Sequence, residues 1–113
     1  MDKIKLFQNA ILHFLNGYLS DMGSNINSDV QYKILADYEN NSFQLLATGW
    51  NGKHYVFDSL FHFDIINEKI WMQCNNTERE VVDELMANGV TAQEIVLGFV
   101  PPYARTHTGF AAA

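Results

Sequence analysis

Apolar residues recur at spacings of three and four along the first stretch of the chain. Ile4, Phe7, Ile11, Phe14, Leu15 and Tyr18 fall on one stripe, which predicts an amphipathic helix over residues 2 to about 21. His13 falls opposite that stripe, toward solvent. Gly23, Ser24, Asn25 and Asn27 break the period and predict a loop.

Beyond the loop the period changes to two. Val30, Tyr32, Ile34 and Ala36 alternate with Gln31, Lys33 and Asp37, which predicts a strand over 30–38. "ENNS" turns the chain into a second strand, 43–50. Asn51-Gly52 is a hairpin signal, because both residues accept positive φ. A third run covers 53–66, and Asn67-Glu68 predicts another tight turn, although glutamate suits positive φ poorly. "KIWMQC", 69–74, is the fourth strand. Short links throughout predict an antiparallel meander.

Thr77 and Glu80 fit a capping box, so a helix follows, with Val81, Val82, Leu85 and Met86 on its apolar face and Gly89 at its end. Thr91 and Glu94 repeat the box ahead of "IVLGFV", which reads as a strand or a buried turn before Pro101-Pro102. The tail "YARTHTGFAAA" has no period. The expectation is one α+β domain over 1–113: an N-terminal helix packed on a meander of about four strands, then a second helix and a short C-terminal segment.

The third strand raises the question of chemistry. Its odd positions, Tyr55, Phe57, Ser59, Phe61, Phe63 and Ile65, read as the core face. A two-residue turn at Asn67-Glu68 sets Ile65 against Ile70, Phe63 against Met72 and Phe61 against Cys74. On the other face Asp64 then opposes Trp71, and His62 opposes Gln73. His62 and Asp64 point the same way, as metal ligands would. A zinc site wants three or four ligands, and the nearest further candidate, His54, lies roughly 26 Å along an extended strand. The patch therefore reads as a hydrogen-bonded polar surface or an interface, and neither a metal nor a cofactor is expected. A small hydrolase or metal-dependent enzyme built on His62 and Asp64 is the alternative.

Composition narrows the function further. The chain has 113 residues, 48% hydrophobic and 13% aromatic, with a net charge of −6. Its seven lysines and arginines are scattered, so no basic footprint for phosphate is legible, and a direct nucleic-acid-binding module is a further alternative that the charge disfavours. Cys74 is the single cysteine, which fits a reducing cytoplasm. No run of about 18 apolar residues spans a membrane, and polar breaks in the N-terminal helix argue against a signal peptide. G-x-S-x-G, P-loop, G-x-G-x-x-G, H-E-x-x-H and C-x-x-C motifs are missing. Cys74, in an apolar register, reads as an inert core thiol. Glu78, Glu80, Asp83 and Glu84 complement a helix N-terminus or contact a basic partner.

"FQLLATGWNGKHYV", "FHFDIINEKIWMQ", "DELMANGVTAQEIVLGFVPPYAR" and "TGFAAA" together resemble the XisI family, the fdxN-element excision controlling factors. The combination of Gly49-Trp50, His62-x-Asp64, Lys69-Ile70-Trp71, Thr77-Glu78, Ile95-Val96-Leu97 and Pro101-Pro102 carries the resemblance. It implies a small α+β protein of cyanobacterial type that acts with a recombinase and an XisH-like, nuclease-fold companion. The chain departs from that pattern at Asn67-Glu68, where Asp-Gly is frequent, at Cys74–Thr77, and at Val100, where His is frequent. The expected function is that of a non-enzymatic controlling factor acting through the companion. The expected contact residues are Trp50, His62, Asp64 and Trp71 on the second sheet face, with Arg105, Thr108 and Phe110 in the tail. A sheet face not filled by the core also leaves room for a homo-oligomer.

Overall fold

The computed structural model describes residues 2–23 and 29–113, so the expected loop residues Ser24, Asn25 and Asn27 lie outside the described part. Helix α1 runs Lys3–Met22. Asp2 caps it, its carboxylate accepting the Ile4 N–H at 3.0 Å. Of the predicted stripe, Phe7, Ile11, Phe14 and Leu15 are buried, joined by Ala10, while Ile4 and Tyr18 are half-buried and His13 is exposed.

Five strands follow: β1 Gln31–Asp37, β2 Ser42–Asn51, β3 His54–Ile66, β4 Lys69–Asn75 and β5 Ile95–Leu97. They form one sheet in the order β1-β2-β3-β4-β5. The first four make the predicted antiparallel meander. The first half of the "IVLGFV" run, Ile95–Leu97, is the added fifth strand, which pairs with β4 in parallel, Ile70 with Ile95 and Met72 with Leu97, and residues 98–100 turn away. A parallel partner needs a crossover. Helix α2, Val81–Ala87, and a 3₁₀ turn, Ala92–Glu94, supply it.

Helix α1 lies on one face of the sheet. Phe14 meets Phe61 edge-on at 4.9 Å and Phe63 at 6.0 Å between ring centroids, a favoured geometry for aromatic pairs. Phe43 and Leu45 of β2, Ile70 of β4 and Leu85 of α2 complete the same apolar cluster. Arg79 joins the two helices, its guanidinium donating to Glu84 at 2.5 Å and to Asp21 at 2.7 Å. These two carboxylates hold the Arg79 pKa well above its ordinary value.

Four local expectations need correction. The first hairpin turn is Gly52-Lys53, not Asn51-Gly52, because Asn51 pairs with His54. Gly52 has φ +63 and no positive φ occurs at Lys53, so one glycine at the first turn position meets the demand. Second, the capping box at Thr77 and Glu80 does not form, and α2 begins at Val81. Asn75 captures Thr77 instead, accepting its N–H at 3.0 Å and its hydroxyl at 2.8 Å. The Gly89 end does form, with Gly89 N–H on Met86 and Val90 N–H on Leu85, a Schellman pattern.

The other two corrections concern register. Leu45 faces Phe61 while Leu46 faces Ser59, so Leu60 is an extra residue in β3. Phe63 faces Met72 while His62 faces Cys74, so Gln73 is extra in β4. Cys74 is therefore half-buried opposite His62 rather than seated in the core opposite Phe61. Each bulge changes which side of the sheet the following residues address.

Candidate functional site

Helix α1 covers the inner face of the sheet, and the outer face carries every strand residue named as a candidate contact. On β2 the inward residues Phe43, Leu45 and Ala47 are buried, so Ser42, Gln44, Leu46, Thr48 and Trp50 point outward. Their partners on β3 follow: Asp64, His62, Ser59, Phe57 and Tyr55. Tyr55 and Phe57 thus face outward, against the expectation that they fill the core. The bulge at Leu60 reverses the alternation for the N-terminal half of β3, while Phe61 and Phe63 stay fully buried.

Two separate patches result. At the tip of the β2–β3 hairpin, Phe57, Trp50 and Tyr55 are 64%, 57% and 52% exposed. Trp50 and Tyr55 are directly paired across the strands, with ring centroids 5.1 Å apart. Six residues back along β2, roughly 20 Å at the rise of a strand, Gln44 faces His62 and the second patch begins. Trp50 is therefore remote from His62, Asp64 and Trp71, which cluster together.

The second patch is centred on Asp64. Its Oδ1 accepts the Ser42 hydroxyl at 2.6 Å and lies 3.0 Å from His62 Nε2. Its Oδ2 accepts the Gln73 amide at 3.3 Å. The bulge displaces Gln73 from direct opposition to His62, yet still delivers it to the same carboxylate. This arrangement is not a nucleophilic relay. A serine nucleophile needs its hydroxyl on the imidazole, with the carboxylate behind the ring; here Ser42 and His62 share one carboxylate oxygen. Among the described residues no group of three or more His, Cys, Asp or Glu side chains is placed to hold a metal ion. A groove of about 390 Å³ runs beside β1 and β2, with Leu35, Asp37, Gln44 and His62 in its lining.

The tail closes the far side of the second patch. Pro102–His107 is a 3₁₀ segment. Arg105 reaches back from it, donating to the carbonyls of Val100 at 3.0 Å and Gly98 at 3.2 Å. The same guanidinium sits over Trp71, 4.9 Å from the ring centroid. The Trp71 indole N–H is buried and has no acceptor among the described residues. Thr108 donates its hydroxyl to the Arg105 carbonyl at 2.8 Å and accepts the Phe110 N–H at 3.1 Å. Phe110 packs on the edge of the core. Arg105, Thr108 and Phe110 thus spend these groups in fixing the tail to its own domain. Among the described residues no helix is long and apolar enough to cross a membrane.

Sequence reasoning placed His62, Asp64 and Trp71 together and missed Ser42, Tyr55 and Phe57. Ser42 ends "ENNS", and its pairing with Asp64 follows only from the β2–β3 register. Nothing local marks Leu60 as a bulge residue.

The fold and sequence both have relatives. The chain matches the model of the XisI protein family over residues 1–112. The structure is similar to that of a XisI-like protein from Anabaena variabilis, with 36% identity and a TM-score of 0.89, covering 99% of this chain and 100% of that one. It is also similar to the fdxN element excision controlling factor XisI from Anabaena variabilis, with 29% identity, a TM-score of 0.86 and coverage of 99% and 100%. No curated protein matches the chain in sequence. The chain belongs to the XisI family.

Proposed function

We propose that this protein is a non-catalytic controlling factor of DNA-element excision, or of a related DNA-processing system, that works by binding an XisH-like companion protein. The observation that carries the reading is the exposed cluster of Trp50, Tyr55 and Phe57. Tryptophan and tyrosine dominate the energetics of protein interfaces, and exposed aromatic clusters mark such surfaces. One relative is described as a controlling factor rather than as a recombinase or nuclease. The net charge of −6 opposes contact with phosphate, so the companion supplies the DNA contact and the effect of this chain on DNA is indirect.

The hairpin tip forms the hot centre of the contact. His62, Asp64 and Trp71 form a polar second contact on the same face. Arg105, Thr108 and Phe110 support Trp71 and the tail from behind. Co-expression with the XisH-like protein, followed by size-exclusion chromatography with light scattering, tests the reading. A stable hetero-complex is expected. Separate elution of the two proteins overturns it.

A further inference from the structure

The sheet ends differently on its two sides. At β5 the tail returns: Val96 and Ala111 form a parallel bridge, and the Ala111 N–H donates to Ile95 at 2.9 Å. At β1 no further strand pairs among the described residues. An open edge presents backbone N–H and C=O groups to any second strand. On the outer side of β1 stand Lys33, Leu35 and Asp37, opposite Leu46, Gln44 and Ser42. Leu35 is 40% exposed. Lys33 makes no ion pair among the described residues. Asp37 is anionic well below the usual carboxylate range, because the Asn40 side chain and the Asn40 and Glu39 N–H groups donate to it.

The geometry points to a second copy of this chain, paired edge to edge along β1 about a twofold axis at Leu35. In an antiparallel ladder, facing residues both offer or both withhold their backbone groups. When a strand meets its own copy about a twofold axis, one residue must therefore face itself. Placing Lys33 on the axis sets two ammonium groups together. Placing Ile34 there sets Lys33 against Leu35 and leaves Asp37 against Gln31. Placing Ala36 there sets Leu35 against Asp37 and sends Lys33 beyond the strand end to Glu39. With Leu35 on the axis, Lys33 of each copy faces Asp37 of the other, twice by symmetry, and the two exposed leucines meet. Opposite charges directly across a ladder attract, and like charges repel. Five strands from each copy then form one continuous sheet. An edge lysine ordinarily blocks strand addition. Here the antiparallel copy gives that lysine a carboxylate, so the edge admits its own kind and rejects others.

Light scattering over a concentration series tests the assembly, and charge and cysteine variants test the register. The native chain is expected to dimerise, more weakly at high salt. Lys33→Glu sets two carboxylate pairs face to face and raises the dimer Kd by about tenfold or more. In a Cys74→Ser background, Leu35→Cys is expected to cross-link on mild oxidation, because facing residues lie about 4.5–5.5 Å apart at Cα, within disulfide reach. Lys33→Cys in the same background is expected to stay uncross-linked. A native chain that is monomeric at every concentration overturns the proposal. So does a dimer that Lys33→Glu leaves intact, or one that Leu35→Cys fails to lock.

Discussion

Arg105 lies over the indole of Trp71, 4.9 Å from the ring centroid, while its N–H groups hold the carbonyls of Gly98 and Val100. One side chain thus fastens the C-terminal segment to the outer face of β4. Arg105→Ala is expected to lower stability by about 2 kcal/mol, from two charge-assisted hydrogen bonds and one cation–π contact. Arg105→Lys should recover little of it, because an ammonium cannot span both carbonyls in a planar fork. Urea unfolding measures both.

The turn between β3 and β4 is strained at a known place. Asn67 and Glu68 have φ of +50 and +59. Asparagine tolerates that region, whereas glutamate suffers the Cβ clash. Glu68→Gly is expected to raise stability by about 1 kcal/mol, read as a higher urea midpoint at unchanged m-value.

Gly49 marks a close approach. It sits at φ +133, and a Cβ there would stand 2.5 Å from the Asp29 carbonyl oxygen. Gly49→Ala is expected to cost about 2 kcal/mol or more, because the backbone at the start of β1 must move. The same urea measurement reads it.

Acid should loosen the crossover. Burial pushes the Glu94 carboxyl up, but the Thr91 N–H and Lys3 more than offset it, and the net shift is downward. A group with a lowered folded pKa stabilises the fold above its unfolded value, near 4.3, and that contribution fades as pH falls through the folded value. Asp37 behaves in the same way. Lys3, raised by Glu94, contributes below its unfolded pKa and loses that contribution only in strong base. Thermal unfolding across pH 2–6 should show a Tm that falls with acid, and Glu94→Gln should flatten the fall.

How far the sequence speaks for this fold depends on the range of each interaction. Helix α1 and its buried stripe were legible because the 3.6 period is local. Ile65–Ile70, Phe63–Met72 and Asp64–Trp71 followed from one turn and the alternation of a strand. The bulges at Leu60 and Gln73 were not legible, since each answers to a register set by another strand. The Leu60 bulge turns Tyr55 and Phe57, read as core, onto the exposed tip. Thr77 carries a helix-cap pattern that Asn75, two residues earlier, diverts into a turn. Strand β5 is three residues long and has no periodicity to read.

The exposed tip supplies the most direct test of the proposed role. Isothermal titration of the XisH-like companion with the native chain and with Trp50→Ala and Phe57→Ala separates the surface from the fold, because both residues are exposed. Each variant is expected to keep the native unfolding midpoint and to bind about thirtyfold more weakly, the effect of losing an interface anchor worth about 2 kcal/mol. Native affinity in both variants, or no binding by the native chain, contradicts the account.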